Sequence, residues 1–355
     1  MEKILILTDH HGYVFTSLKG AAGNSADSKK VKSYLLEKGY EAHIASLHQI
    51  PEEWKQEGIY VFYPSSEVSG LFYKEYIEDV LLDLKLRGLK LLPEFPYFRA
   101  HHNKVFMEMM RSALSQRHLK TIHSYSIYDS GDLKKMLPLL EKELKYPMVL
   151  KMSSGSGASG VVLVKDRLEL ILKARKMTSI VYRNYSTFWH SSTTLSCWKR
   201  RMKKAMGKPD VPLTYPQEKI VIQNFIPNLK YDYKVLVFGE KYYILKRLTR
   251  DNDFRASGSG KLFFPKKLDD EIRLVLDTSE ELFGELNVPM LSADVAFDGE
   301  RCHVIEFQCV SFGPYTLQFS DRHYVRSDGM WCTRMGESIL ESEIANALDR
   351  YIRQK

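Results

Sequence analysis

Short unbroken apolar runs alternate with longer runs of helical spacing through roughly the first 95 residues. KILILT, YEAHIASL, GIYVFYPS and LKLLPEF read as strands. Between them, SADSKKVKSYLLEKG and YKEYIEDVLLDLKLRG repeat apolar residues every three or four positions. The first of these opens on Ser or Asp and closes on Gly, the signals of a capped amphipathic helix. Strand–helix–strand alternation with short connections predicts a parallel, Rossmann-like sheet. HGYVFTSLKGAAG, after the first strand, lacks the G-x-G-x-x-G spacing, so this sheet is not expected to hold a dinucleotide. Residues 99 to 145 read as helical and connecting, with NKVFMEMMRSALSQ the clearest helix.

The pattern then changes. YPMVLKM and ASGVVLVKD read as strands and RLELILKARKM as a helix. KIVIQNFI, YDYKVLVFGEKYYILKRL and LSADVAFDGERCHVIEFQ read as further strands and hairpins, turned at FGEK and FDGE. Such an order predicts antiparallel sheets with helices on one side, an α+β arrangement. Residues 266 to 288 and the tail GESILESEIANALDRYIRQK each carry an amphipathic helix. Residues 181 to 218 keep no clean period. They are basic and aromatic (YRNYSTFWH, CWKRRMKKAMGKPD) and read equally as a surface insertion or as a lid over an anionic substrate. No nucleic-acid-binding motif accompanies them, so nucleic acid is not an expected partner.

Composition narrows the class. At 355 residues the chain exceeds one ordinary compact domain, and 44% hydrophobic with 27% charged residues supplies real cores. No run approaches the ~20 apolar residues of a membrane helix. The N-terminal apolar run passes into polar turn residues, as a first strand does and a signal peptide does not. Cys197, Cys302, Cys309 and Cys332 have no C-x-x-C spacing, which suits a reducing, cytoplasmic compartment. The net charge of +8 fits an anionic ligand such as a nucleotide or an acidic substrate.

Three segments carry candidate chemistry. In YPMVLKMSSGSGASGVVLV, Lys151 precedes a Gly/Ser loop longer than a hairpin needs. Glycine lets backbone N–H groups converge on phosphate oxygens, although such loops are commonly plain flexible hairpins. No GK[ST] follows, so this is not a Walker A loop. In LSADVAFDGERCHVIEFQ, pairing across the FDGE turn brings Asp294 and Glu306 together, with Gln308 on the same face as Glu306. Two carboxylates and an amide oxygen are hard ligands suited to Mg2+; the alternative is a pair of unrelated strand-edge acids. In YYILKRLTRDNDFRASGSGKLFF, Arg247 ends a strand and Arg255 lies in a loop with Asn252, Ser257, Gly258, Ser259 and Gly260. Both can fork onto phosphate or carboxylate oxygens, or serve as salt-bridge partners.

Taken in order, these segments resemble an ATP-grasp ligase over roughly residues 1 to 320, similar to the ribosomal-protein-modifying and D-alanine–D-alanine-type amino-acid ligases. HHNKVFMEMM is similar to the helix start that makes Lys104 a nucleotide-phosphate ligand. The strand, lysine and loop imply phosphate contacts from Lys151, Ser153, Ser154, Gly155, Ser156, Gly157, Ser159 and Gly160. KIVIQNFIP resembles the interlobe hinge, where adenine meets backbone near Gln223, Asn224, Phe225 and Ile226. YDYKVLVFGEKYYILKR resembles the strands carrying a ribose-side acid (Asp232), a basic residue (Lys234) and the active-site Arg247, with Arg255 beside it. Asp294, Glu306 and Gln308 stand where the metal set stands. Gln308 replaces the usual asparagine, and Gln223 a frequent acidic residue.

The resemblance implies an α/β plus α+β protein: an ATP-grasp fold whose N-terminal Rossmann-like domain (1–98) precedes two lobes (99–220 and 221–355) gripping ATP. It implies an ATP-dependent carboxylate–amine ligase using Mg2+, as two ions, and passing through an acylphosphate. The partners would be small-molecule carboxylate and amine substrates, one of them anionic. No membrane partner is expected, and a homo-oligomer is left open. An ATP-grasp kinase and a catalytically silent nucleotide-binding protein are the alternatives.

Overall fold

A computed structural model describes residues 1–15, 26–66, 70–128, 130–154, 160–178, 202, 206, 219–251 and 253–355. Gly155, Ser156, Gly157, Ser159, Asn252 and all of the 181–218 insertion except Met202 and Met206 lie outside the described residues.

The N-terminal sheet is parallel, in the order β2 (Glu41–Ser46), β1 (Lys3–Thr8), β3 (Tyr60–Phe62), β4 (Lys90–Leu92). Period-two alternation sends Ile4 and Ile6 into one core and Leu5 and Leu7 into another, so both faces are covered and the strand reads as a continuous apolar run. Helix α1 (Ser28–Glu37) starts where Asp27 accepts the backbone N–H groups of Lys29 and Lys30, at 2.8 and 3.4 Å. Helices α2 (Gly70–Leu86), α3 (Phe95–His102) and α4 (Lys104–Ser112) follow.

The second sheet is antiparallel, in the order β5 (Ser124–Ile127), β8 (Ile220–Asn224), β6 (Met148–Met152), β7 (Val161–Val164). α5 (Ser130–Glu143) and α6 (Arg167–Thr178) pack on it through Leu133, Leu140, Leu170 and Ala174. β8, which straddles the expected boundary at 220/221, is hydrogen-bonded into this sheet.

The third sheet runs β13 (Cys302–Gln308), β12 (Met290–Phe297), β9 (Tyr231–Phe238), β10 (Lys241–Leu248), β14 (Arg322–Ser327), β15 (Met330–Met335), with β11 (Leu262–Phe263) paired to β10. Its Val235, Val237, Leu291 and Ala293 bury against Ile272, Val275 and Leu276 of α7 (Asp270–Leu286). Leu236 and Phe238, on the opposite face, join Ile344 and Leu348 of α9 (Leu340–Arg353) in the core that also holds Ile4 and Ile6. α8 (Tyr315–Gln318) is a single turn after β13. α7 stops where Asn287 takes a left-handed conformation, φ 48°, one that asparagine tolerates better than most residues. Among the described residues, no helix is long and apolar enough to cross a membrane.

Candidate functional site

Register assembles the charges of the third sheet. Glu306 pairs with Asp294 and Asp294 with Lys234, so one row crosses β13, β12 and β9; Gln308 lies opposite Ser292. On the next pair of strands Asp232 faces Arg247. The Arg247 guanidinium donates from Nε and Nη2 to the two oxygens of Asp232, at 2.7 and 2.8 Å. Its Nη2 also lies 2.9 Å from Asp294 Oδ2, and Lys234 donates to Asp294 Oδ1 at 3.3 Å. Burial pushes the Asp294 carboxyl up, but Arg247 and then Lys234 outweigh it and hold the group at about 2. Both oxygens of Asp232 sit in the arginine fork, so the structure gives this residue a different partner from the ribose hydroxyls implied by resemblance.

Across from this row lie Lys104 and Lys151. Asn103 caps α4 by accepting the N–H of Phe106 at 3.2 Å and also takes the Ser153 hydroxyl at 2.9 Å. The backbone N–H of Lys104 donates to Ser153 O at 2.9 Å, and that of Ser153 to Lys219 O at 2.8 Å. Ser153 is therefore tied to the scaffold that fixes the start of the loop. Lys104 Nζ lies 4.0 Å from Glu306 Oε1, which brings the helix start against the acidic row. Lys151, on β6, is 6% exposed, and its ammonium makes no hydrogen bond or ion pair among the described residues. Burial lowers its ammonium from the ordinary lysine range; the fields of Glu108 and Glu306 oppose this only in part.

Glu108 and Arg111 are functional candidates that the sequence reading missed. Arg111 pairs with Glu108, which also accepts the Gln223 amide at 2.7 Å and the Ser124 hydroxyl at 2.7 Å. Arg111 Nη1 donates to Val304 O at 2.8 Å, two residues before Glu306. This buried knot ties α4 to β8 and to the strand bearing Glu306. A signal was present: Glu108 and Arg111 fall on the same face of the helix as apolar Val105, where an uncompensated charge would be costly.

The remaining candidates are dispersed. Asn224 is bound to His123, accepting its N–H at 2.7 Å, while Phe225 meets Phe254 edge-on at 5.9 Å. Ile226 is buried with Ile122 and Ala296. Arg255 is bonded by Asp253 and reaches Val161 O on β7 at 3.4 Å, so its loop spans from the third sheet to the second. Gly160 has φ 84°, and a Cβ there would meet Met152 Sδ at 2.8 Å, a position that only glycine fits. Ser154 stands at the edge of the loop.

No family model and no curated protein sequence matches the chain. Solved structures do. D-cycloserine synthetase DcsG aligns with a TM-score of 0.53 at 12% identity, covering 99% of this chain and 100% of that one. The ADP complex of purK, an N5-carboxyaminoimidazole ribonucleotide synthetase, aligns at 0.50 with 13% identity, covering 88% and 71%. The N5-carboxyaminoimidazole synthetase from Staphylococcus aureus, complexed with ADP, aligns at 0.50 with 10% identity, covering 99% and 77%.

The chain has the ATP-grasp fold.

Whether this ATP-grasp chain can hold a metal follows from its donors. Among the described residues, no three His, Cys, Asp or Glu side chains gather at one point. Asp294 and Glu306 nonetheless pair directly on one face, with the Gln308 amide beside them. Two carboxylates fit Mg2+ shared with phosphate oxygens and water; they do not fit a cage made by protein alone.

Proposed function

We propose that the chain is an ATP- and Mg2+-dependent ligase that joins a carboxylate to an amine through an acylphosphate. The observation that carries this reading is Lys151, a buried cation that no carboxylate among the described residues pairs with, in the field of Glu306 beside Lys104. A buried charge is costly until an anion arrives, and phosphate supplies one. Lys151 and Lys104 hold phosphate oxygens, and the loop from Ser153 to Gly160 covers them and excludes water. Backbone from Gln223 to Ile226 borders the adenine edge. Asp294, Glu306 and Gln308 would hold Mg2+, which when bound would neutralise charge on the phosphates and polarise the transferring phosphoryl. Arg247 and Arg255 stabilise negative charge as the carboxylate takes that phosphoryl. Asp232 keeps the Arg247 fork in place, and Lys234 holds Asp294. The amine then attacks the acyl carbon and phosphate leaves.

The test incubates the protein with ATP, Mg2+ and panels of acids and amines, and measures ADP and phosphate. A ligase releases both in step with amide; a kinase releases ADP without phosphate, and that outcome overturns the reading. Glu306→Gln should lower turnover on the order of a thousandfold, an amide being a poor substitute for a carboxylate between cation and phosphate. The same variant should bind metal-free ATP as the parent does, and Mg2+ should no longer tighten that binding.

A further inference from the structure

Beside β8 lies a cavity of about 500 Å3 in which every ionisable lining group is basic. Three separate segments build it. Arg117, Lys120, Thr121 and His123 come from the stretch between α4 and β5, Asn224 from the end of β8, and Arg301 from the turn between β12 and β13. Strand alternation turns this cavity away from Lys151. Lys151 pairs with Val221, two residues before Gln223, and so shares the sheet face on which Gln223 and Ser124 bond Glu108. Asn224 and His123, which bond each other at the end of that ladder, stand one residue along and alternate to the opposite face.

A buried relay fixes the walls. His303 is 3% exposed, with Nδ1 2.9 Å from Thr121 Oγ1 and Nε2 2.7 Å from Asp298 Oδ2. Asp298 Oδ1 accepts the backbone N–H groups of Glu300 and Arg301, both at 3.0 Å, which closes the turn and sets where Arg301 leaves it. The cations themselves are poorly neutralised. Arg301 Nε stays 3.6 Å from Asp298 Oδ2, beyond hydrogen-bond length. Lys120 donates only to a neutral carbonyl, Ser112 O, at 3.3 Å. Arg117 and His123 have no side-chain hydrogen bond or ion pair among the described residues. Acids of the adjoining segments are engaged elsewhere: Glu285 by Ser115 and the N–H of Gln116, Glu281 by His118.

We propose that this cavity is a second anion site, taking a compact molecule with two or more phosphate or carboxylate groups as an effector. Cations gathered without an acid among them repel one another, and a bound oxyanion relieves that repulsion. Arginine forks match phosphate and carboxylate oxygens alike, and cations drawn from separate segments suit a multivalent ligand better than a single charge. The volume lies within the range of small-molecule sites. Such a ligand ties the turn bearing Arg301 to the segment leading into β5, so it holds the second and third sheets together from outside the face of Lys151. Glu306 lies five residues beyond Arg301, and the restraint therefore reaches the acidic row. By linkage the effector and the nucleotide then tighten each other's binding. That second half rests on the ligase reading above; the anion site does not.

The test titrates pyrophosphate and citrate calorimetrically, without metal, into Lys151→Met, which lacks the buried cation of the nucleotide site. Saturable binding of pyrophosphate alone assigns phosphate chemistry, of citrate alone carboxylate chemistry, and of both the shared oxyanion site. Arg117→Ala combined with Arg301→Ala in that background should weaken binding about tenfold to a hundredfold. Lys134→Ala combined with Lys135→Ala removes the same charge from exposed positions on α5 and should change it by less than about twofold. No saturable binding of either anion, or equal losses in the two double variants, overturns the site. In the chain with Lys151 intact, the anion that binds should tighten ADP about fivefold, and the Arg117→Ala, Arg301→Ala variant should lose that gain. An ADP affinity that responds identically in both overturns the effector role. If the anion binds through Arg117 and Arg301 but ADP does not bind at all, the site stands and the ligase reading falls.

Discussion

Two sets of buried charges lie close together, and they are finished to different degrees. Arg247 and Lys151 are each 6% exposed. Arg247 spends its guanidinium on protein: both oxygens of Asp232, then Asp294. Lys151 makes no bond of its own among the described residues, and its charge is opposed only by the fields of Glu108 and Glu306. Burial alone therefore does not distinguish a cation already held by protein carboxylates from one left without a protein carboxylate. Saturation does: the closed cluster fixes the position of Asp294, while the open one pays its desolvation cost until an anion binds.

Arg247→Ala tests the closed half and carries the largest expected effect. Removing the fork strands two buried carboxylates, so stability should fall by about 3–5 kcal/mol. Urea unfolding with an unchanged m-value measures it. A loss below roughly 1 kcal/mol would mean that the cluster is solvated like a surface pair, and the contrast with Lys151 would collapse.

Lys151→Met tests the open half and should go the other way. A thioether chain of similar length removes the buried charge, so the ligand-free variant should be at least as stable as the parent. Its affinity for ATP should drop by about tenfold to a hundredfold, the loss of a charge-assisted contact of about 1.5–3 kcal/mol. Calorimetry at fixed Mg2+ decides. Intact affinity in a folded variant would move the phosphate site elsewhere.

How much of this was readable in the chain depends on separation along it. The FDGE turn puts Asp294 and Glu306 on adjoining strands, but regular register from that turn would set Asp294 opposite Ile305; a bulge between Asp294 and Val295 shifts the pairing by one and brings it opposite Glu306. The FGEK turn held equal information that went unused. Asp232 lies six residues before Phe238 and Arg247 six after Lys241, and that register pairs them. Reading the two as separate functional groups overlooked it. The fold was legible because its cores obey simple periods, as the split of Ile4 and Ile6 from Leu5 and Leu7 shows. The β14–β15 hairpin was not foreseen, although Asp328-Gly329, both at positive φ, is a hairpin turn. Both strands of that hairpin carry charged residues, which blurs the alternation. The Glu108–Gln223 bond spans 115 residues and the Arg111–Val304 bond 193, and no local pattern encodes such partners.

The smallest predicted effect is the pH signature, and it has opposite signs in the two halves. Asp294 has its carboxyl depressed from 3.8 to about 2 in the folded protein. Its contribution is therefore complete above the unfolded value and is lost as pH falls from about 4 toward 2, roughly 2 kcal/mol in all. Lys151 is depressed too, but it is a base. Between its folded value and the unfolded 10.5 the unfolded chain binds more protons, so stability rises with pH across that window. Urea unfolding of the ligand-free protein should then show an acid loss that Asp294→Asn flattens and an alkaline gain that Lys151→Met abolishes. Asp232, which burial pushes up, titrates against Asp294, so only the variant difference isolates each group. Saturating ADP should erase the alkaline gain as well, because phosphate beside Lys151 restores the charged form in the folded state. If the gain survives both Lys151→Met and ADP, it belongs to another group, and Lys151 does not hold the open charge.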